Sequence, residues 1–245
     1  MDILELEFKA RELRKKVLDL SMKEGEAHLG GSFSEIEILV SLYNKILQPE
    51  DKFILSKGHA STPFYLLLRE KGYNPIIQTH PDLDEKNGIF ATTGSLGHGL
   101  PIAVGMALAR KKMNRSGRIY VLLGDGECQE GTIWEAADVA CHYRLDNLTV
   151  IVDHNKLQAL CKIEEISPTF LKSKFQAFGC YVTEIDGHNF KEIISAFENT
   201  PAGKPYVIIA NTVKGKGVSY MQNDPKWHTR LPNEEELRKA YDELK

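Results

Sequence analysis

A mostly parallel α/β sheet with helices on both faces is the fold predicted for this chain, organised as one domain over residues 1–245. Two observations predict it. The runs 119–123, 148–152, 181–185 and 206–210 are continuously apolar. They lack the in–out alternation of a half-exposed strand and therefore suit strands covered on both faces. Between them fall segments with helical spacing, which is the order of successive strand–helix–strand units. No internal repeat or linker interrupts the 245 residues, and a chain of this size buries roughly 70–75% of its unfolded surface.

Taken in order, Leu6, Leu13, Val17 and Leu20 recur at helical spacing and predict an amphipathic helix over 2–24. Residues 25–34, with His28 and the pair Gly30-Gly31, read as a loop. Ser34, three residues before Glu37, reads as a capping box that opens an apolar helix to about Leu47. A turn at 49–52 precedes a short strand at 53–55. Ser56-Lys57-Gly58-His59 then leads into a helix ending near Lys71. Gly72, Asn74, Pro75, Pro81, Gly88 and Gly94 break any regular pattern over 72–95. Irregular stretches that long are often functional in compact domains. A small-residue helix follows over 97–113, with Ala103, Gly105, Ala107 and Ala109. Helices near 130–143, 168–178 and 189–199 separate the later strands, the second with Ser167 as cap and Pro168 at its first position. Asn233 caps a terminal helix.

A formal charge of −3 gives no reason to expect nucleic acid or an anionic membrane as partner. No apolar run approaches a membrane span, and the acidic start Met1-Asp2-Ile3-Leu4-Glu5 is unlike a signal peptide. Cys128, Cys141, Cys161 and Cys180 include no Cys-x-x-Cys pair. Reduced thiols in a cytoplasm are therefore expected, not a zinc site or a disulfide framework.

The chemistry lies in Gly124-Asp125-Gly126 and, 28 residues on, Asn155. Each falls just past the carboxyl end of a predicted strand, the edge where open α/β sheets bind ligands. A carboxylate and an amide oxygen converging there are hard donors suited to Mg²⁺ shared with phosphates. Glycines flanking Asp125 let the backbone approach a phosphate, and the following helix offers free N–H groups to an anion. The helix dipole contributes only about 0.3–1 kcal/mol, so the metal must supply most of the holding energy. A phosphatase with an aspartate nucleophile is a rival reading, with Glu127 or Glu130 as its acid or base.

The run from Gly124 to Gly131, continuing through Asp153-His154-Asn155-Lys156, resembles the thiamine diphosphate signature of transketolases. Glu26-Ala-His28-Leu-Gly30-Gly31, Leu55-Ser-Lys-Gly-His59-Ala60, His80-Pro-Asp82 and Thr93-Gly94-Ser-Leu96-Gly97 agree in order and spacing. So does Lys214-Gly-Lys-Gly217 with Trp227-His228, and the likeness spans nearly the whole chain.

The resemblance implies a thiamine diphosphate-binding fold and assigns roles by position. Asp125, Asn155 and the backbone carbonyl of Leu157 match ligands of the metal, Mg²⁺ or Ca²⁺. Gly124 and Gly126 match the approach to the diphosphate, His59 and His228 its hydrogen-bond partners, and Gly94 and Leu96 the cofactor pocket. His28, His80 and His228 match residues facing the reacting sugar hydroxyls, and Glu130 a carboxylate at the subunit interface near the cofactor. His142 and His154 are read as structural, His188 as a helix-entry residue, and the lysines around Gly215 as surface residues. Two departures stand near the expected pocket: His98, where many transketolases carry glutamine, and the unusual wording of residues 74–79.

Family chains normally continue into a pyrimidine-binding domain and a third domain, whereas this one stops at Lys245. The expectation is a split enzyme whose C-terminal transketolase subunit supplies those domains, in an α2β2 heterotetramer. The reaction implied is transfer of a two-carbon ketol unit from a ketose to an aldose, both sugars or sugar phosphates. Two other classes compete: a component of a thiamine diphosphate enzyme acting on 2-oxo acids, and a non-catalytic transketolase-like protein. The histidines favour sugar chemistry over the first, and intact Asp125 and Asn155 speak against the second.

Overall fold

The computed structural model describes residues 1–25, 27–168 and 170–245. Five strands, β1 (Lys52–Leu55), β2 (Ile119–Gly124), β3 (Leu148–His154), β4 (Tyr181–Asp186) and β5 (Tyr206–Asn211), pair in the order β1-β2-β3-β5-β4. Every pairing is parallel. The register sets Leu55 beside Leu122, Gly124 beside Asp153 and His154 beside Asn211. The carboxyl ends of β1, β2, β3 and β5 thus meet at one edge.

Strand residues alternate between two separate cores, as a sheet buried on both sides requires. Phe53, Leu55, Tyr120, Leu122, Ile151 and Ile208 face one core. It is closed by α1 (Ile3–Glu24), α3 (Ile36–Ser41), α4 (Thr62–Glu70) and α9 (Phe190–Glu198). Helix α2 (Leu29–Ser34) lies between α1 and α3 in sequence. Ile54, Val121, Leu123, Val150, Val152 and Ile209 face the other core. That side is closed by α5 (Gly99–Lys112), α6 (Gly131–His142) and α8 (Leu171–Phe178). A single turn, α7 (Ile163–Ile166), precedes α8, and α10 (Glu234–Glu243) ends the chain with Asn233 as its cap in a full capping box.

Three local expectations are corrected. Residues 29–34 are a helix, not a loop: His28 takes a left-handed backbone (φ 64°) as its N-cap, and Ser32 N–H bonds back to His28 O. Ser34 does not cap the next helix, because its hydroxyl is turned inward to Gly31 O and Asp153. Helix α8 starts at Leu171, three residues after Pro168. Ser167 is extended there (φ −157°) and ends α7 instead of opening α8. Thr169 and Glu26, which fall in two of the sequence readings, lie outside the described residues.

Ile151 sits in the central strand at 1% exposure. Ile151→Ala should lower the unfolding free energy by about 2–5 kcal/mol through lost burial and an unfilled cavity. Urea unfolding would register it as an earlier midpoint at unchanged slope.

Candidate functional site

A cavity of about 250 Å³ opens at the shared carboxyl edge, and its walls come from four strand ends. Asp125, Gly124 and Gly126 enter from β2, Asn155 and Leu157 from β3, Lys57 and His59 from β1, and Lys214 from β5. His228, Leu96 and Glu130 complete the predicted residues that line it.

Asp125 is buried at 2% exposure and Asn155 at 8%. The Asp125 carboxylate accepts from Gly126 N–H at 2.8 Å and Lys156 N–H at 2.5 Å. Asn155 Oδ1 accepts from Leu157 N–H at 3.0 Å. Asp125 is therefore braced by the very turn that carries Asn155, so the two oxygen donors open on one cavity. Burial first, and then the charge of Asp153, push the Asp125 carboxyl up to about 7. A carboxylate so poorly compensated suits a divalent cation. Among the described residues no group of three His, Cys, Asp or Glu side chains could hold a metal by itself. The set here is instead a carboxylate, an amide oxygen and a backbone carbonyl, the oxygen-only shell that Mg²⁺ completes with phosphate and water.

Beneath the cavity lies a buried charge cluster. Lys57 Nζ meets Asp153 Oδ2 at 2.5 Å, Glu35 Oε2 at 2.9 Å and Gly31 O at 3.0 Å. Burial opposes charge on all three groups, yet Asp153 and Glu35 outweigh it for Lys57 and hold the ammonium above its ordinary range. Against the same burial, Lys57 holds Asp153 below the carboxylate range, whereas burial wins at Glu35 and pushes it up to about 8. The ion pair is therefore Lys57–Asp153, and Glu35 carries its proton at neutral pH.

Lys214 corrects the surface reading of its segment. It is 2% exposed, and its Nζ donates to Gln158 O at 2.8 Å and stands 3.3 Å from His228 Nδ1. Burial lowers it to about 8, against the pull of Asp125. Its methylenes run past Gly30, where a Cβ would fall 2.9 Å from Lys214 Cγ and 3.1 Å from Trp227 O. Only glycine leaves that passage open.

Three imidazoles cluster beside it. His28, His59 and His228 lie with ring centroids 5.2–5.3 Å apart. Burial, then nearby Lys57, drives His59 well below its ordinary value; burial, then Lys214, lowers His228 to about 4. Both are neutral at physiological pH. His28 does not itself line the cavity; it joins through these ring contacts. His80 is exposed and packs under Gly94 (φ 140°), where a Cβ would fall 2.9 Å from the ring. Neither His80 nor Gly94 lines the cavity. His98 is exposed at the start of α5.

The phosphatase rival finds no acid here. Glu127 is buried, and its carboxylate receives Ser56 Oγ–H, Gly97 N–H at 2.8 Å and Gly124 N–H at 2.9 Å. Those donors occupy it as a bracket between three segments. Glu130 is exposed at the rim.

Lys57→Met would leave Asp153 buried without its cation, a loss expected to cost about 3–5 kcal/mol. Urea unfolding of the variant would measure it; a midpoint equal to that of the parent would contradict the ion-pair assignment.

The comparisons agree with this geometry. A family model described as "Transketolase, thiamine diphosphate binding domain" matches residues 8–244. Among curated relatives, one of the two chains of the apulose-4-phosphate transketolase of Actinobacillus succinogenes is 40% identical, over 98% of this chain and 96% of that protein. "6-deoxy-6-sulfo-D-fructose transketolase subunit SqwG" of a Clostridium species is also 40% identical, over 98% and 96%. Among solved structures, transketolase from Campylobacter jejuni superposes with a TM-score of 0.90 at 30% identity. The superposition covers all of this chain and 43% of that one. The strand-edge cavity and the sequence relationships together place this chain in the transketolase family, as its thiamine diphosphate binding domain.

Proposed function

We propose that this chain is the diphosphate-binding subunit of a two-chain transketolase. It moves a two-carbon ketol unit from a ketose to an aldose. One observation carries the reading: two buried oxygen donors from neighbouring strand ends, Asp125 and Asn155, open on the same cavity as the buried ammonium of Lys214. Oxygen donors for a cation beside a cationic and neutral-imidazole wall suit a diphosphate bridged to a metal.

In this reading Asp125, Asn155 and the Leu157 carbonyl hold Mg²⁺ or Ca²⁺. Lys214, His59 and His228 meet the diphosphate, with Gly124 and Gly126 admitting it and Gly94 and Leu96 bordering the rest of the cofactor. Thiamine diphosphate, when bound, supplies the group that carries the transferred two-carbon unit. His28, His80 and His228 take and return protons at the sugar hydroxyls, a role open to neutral imidazoles. Placing these groups together supplies the orientation on which transfer depends.

Both relatives are named as subunits, which supports a partner chain. Exposed Leu160, Ile166 and Phe170, which border Asn155 and Leu157 in sequence or in the neighbouring hollow, give that partner an apolar surface to cover. We assign it the pyrimidine-binding and C-terminal domains, in an α2β2 assembly with Glu130 facing the shared interface. The relatives are named for a phosphate-bearing and a sulfo-bearing sugar, so a ketose with an anionic end is the proposed substrate class. Four free cysteines suit a cytoplasmic setting.

Calorimetric titration with thiamine diphosphate should give a heat that requires Mg²⁺ and disappears with EDTA or in Asp125→Ala. Binding that survives both would remove the cation from the site. Ketol transfer should be absent from the chain alone and gained on mixing with its partner chain; full activity of the isolated chain would overturn the two-chain reading.

A further inference from the structure

Lys214 reaches the cavity from a turn that is itself held by a buried relay of three side chains, none of which lines the cavity. Arg14 on α1 is 3% exposed. Its Nη2 donates to both oxygens of Glu37, at 2.8 and 2.9 Å, and to Phe33 O at 3.2 Å. Its Nε donates to Lys216 O at 2.7 Å. Glu37 on α3 also meets His188 Nδ1 at 3.0 Å. His188 Nε2 in turn accepts the Val213 N–H at 2.8 Å. An acceptor at Nε2 fixes the tautomer with its proton on Nδ1, directed at Glu37.

The relay therefore grips the backbone on both sides of Lys214, through Val213 N–H before it and Lys216 O after it. The turn allows little else. Gly215 N–H bonds to Gly30 O at 3.0 Å, and Asn223 N–H to Lys214 O at 2.9 Å. Gly217 takes φ 97°, and a Cβ there would lie 2.8 Å from Arg14 Cδ.

We propose that Arg14, Glu37 and His188 are positioning residues for Lys214, setting its ammonium against the diphosphate. The proposal rests on the cavity binding thiamine diphosphate as argued above. Burying a charged trio adds little net stability, since apolar replacements of equal volume are often as good or better. Its gain is placement: a cation must be held to within a fraction of an ångström by side chains that are themselves fixed.

The test is a mutant cycle on the whole chain, titrating thiamine diphosphate with Mg²⁺ by calorimetry. His188→Ala should weaken binding by roughly tenfold, the usual scale for removing a supporting hydrogen-bond partner behind a ligand-holding residue. Lys214→Met should weaken it at least as much. The double variant should bind no worse than Lys214→Met alone, because a residue acting through Lys214 has nothing left to position. His188→Gln, whose amide oxygen can take the Val213 N–H, should recover most of the loss. Multiplied losses in the double variant, or unchanged affinity in His188→Ala when Lys214→Met is weakened, would overturn the proposal. No metal-dependent heat from the parent chain would instead strike the cofactor reading, and the positioning role with it. If His188→Ala does not fold, Arg14→Lys in the same cycle decides the question, because it keeps a charge on Glu37 but drops the Nε donor to Lys216 O.

Discussion

Asp153 is the point on which the site depends. One oxygen accepts from Ser34 Oγ and Lys57 Nζ, and the other from Thr212 Oγ1. Asn155 Nδ2 adds a long contact at 3.5 Å. Through a single carboxylate, the ends of β1, β3 and β5 and helix α2 are drawn to one place. The parallel register makes this possible, because Gly124 and Asp153 are neighbours across β2 and β3. A buried carboxylate is tolerable only when its lone pairs are filled and a cation stands against it. Lys57 fulfils the second condition, and the two hydroxyls fill the first.

Above that floor the electrostatics divide the cavity. Asp125 lacks a direct cationic partner and is pushed up, while Lys214 is pushed down by the same burial. A bridged metal and polyanion would relieve both at once, the metal against Asp125 and the anion against Lys214. The neutral imidazoles beside Lys214 follow from the same field, since the nearby ammonium groups disfavour a further positive charge. Cation, anion and proton-handling groups are thus sorted by one buried charge pattern.

Much of this was legible in the sequence. Continuous apolar runs mark strands buried on both faces, and Gly-Asp-Gly after one of them with Asn155 after the next marks the working edge. What was not legible has a common cause. Gly30-Gly31 carries weak helix propensity, so residues 29–34 read as a loop; packing around Lys214 and Trp227 makes them helical. Lys214, in a glycine-rich turn, has the local pattern of an exposed residue, and only partners far along the chain bury it. His188 reads as a helix-entry residue because Glu37, its partner, lies 151 positions away. Ser34 and Ser167 carry capping signals that the fold uses otherwise, one on Asp153 and the other on the end of α7.

The contacts that build the cavity are also its most distant in sequence: Ser34 to Asp153 spans 119 positions and Arg14 to Lys216 spans 202. Loops that long close late in folding, since their entropy must be met before any contact rewards it. The pocket therefore cannot persist in a partly folded chain. Its occupancy is coupled to the cooperative unit as a whole, so a tightly held ligand would protect strands and helices well beyond its reach by mass action.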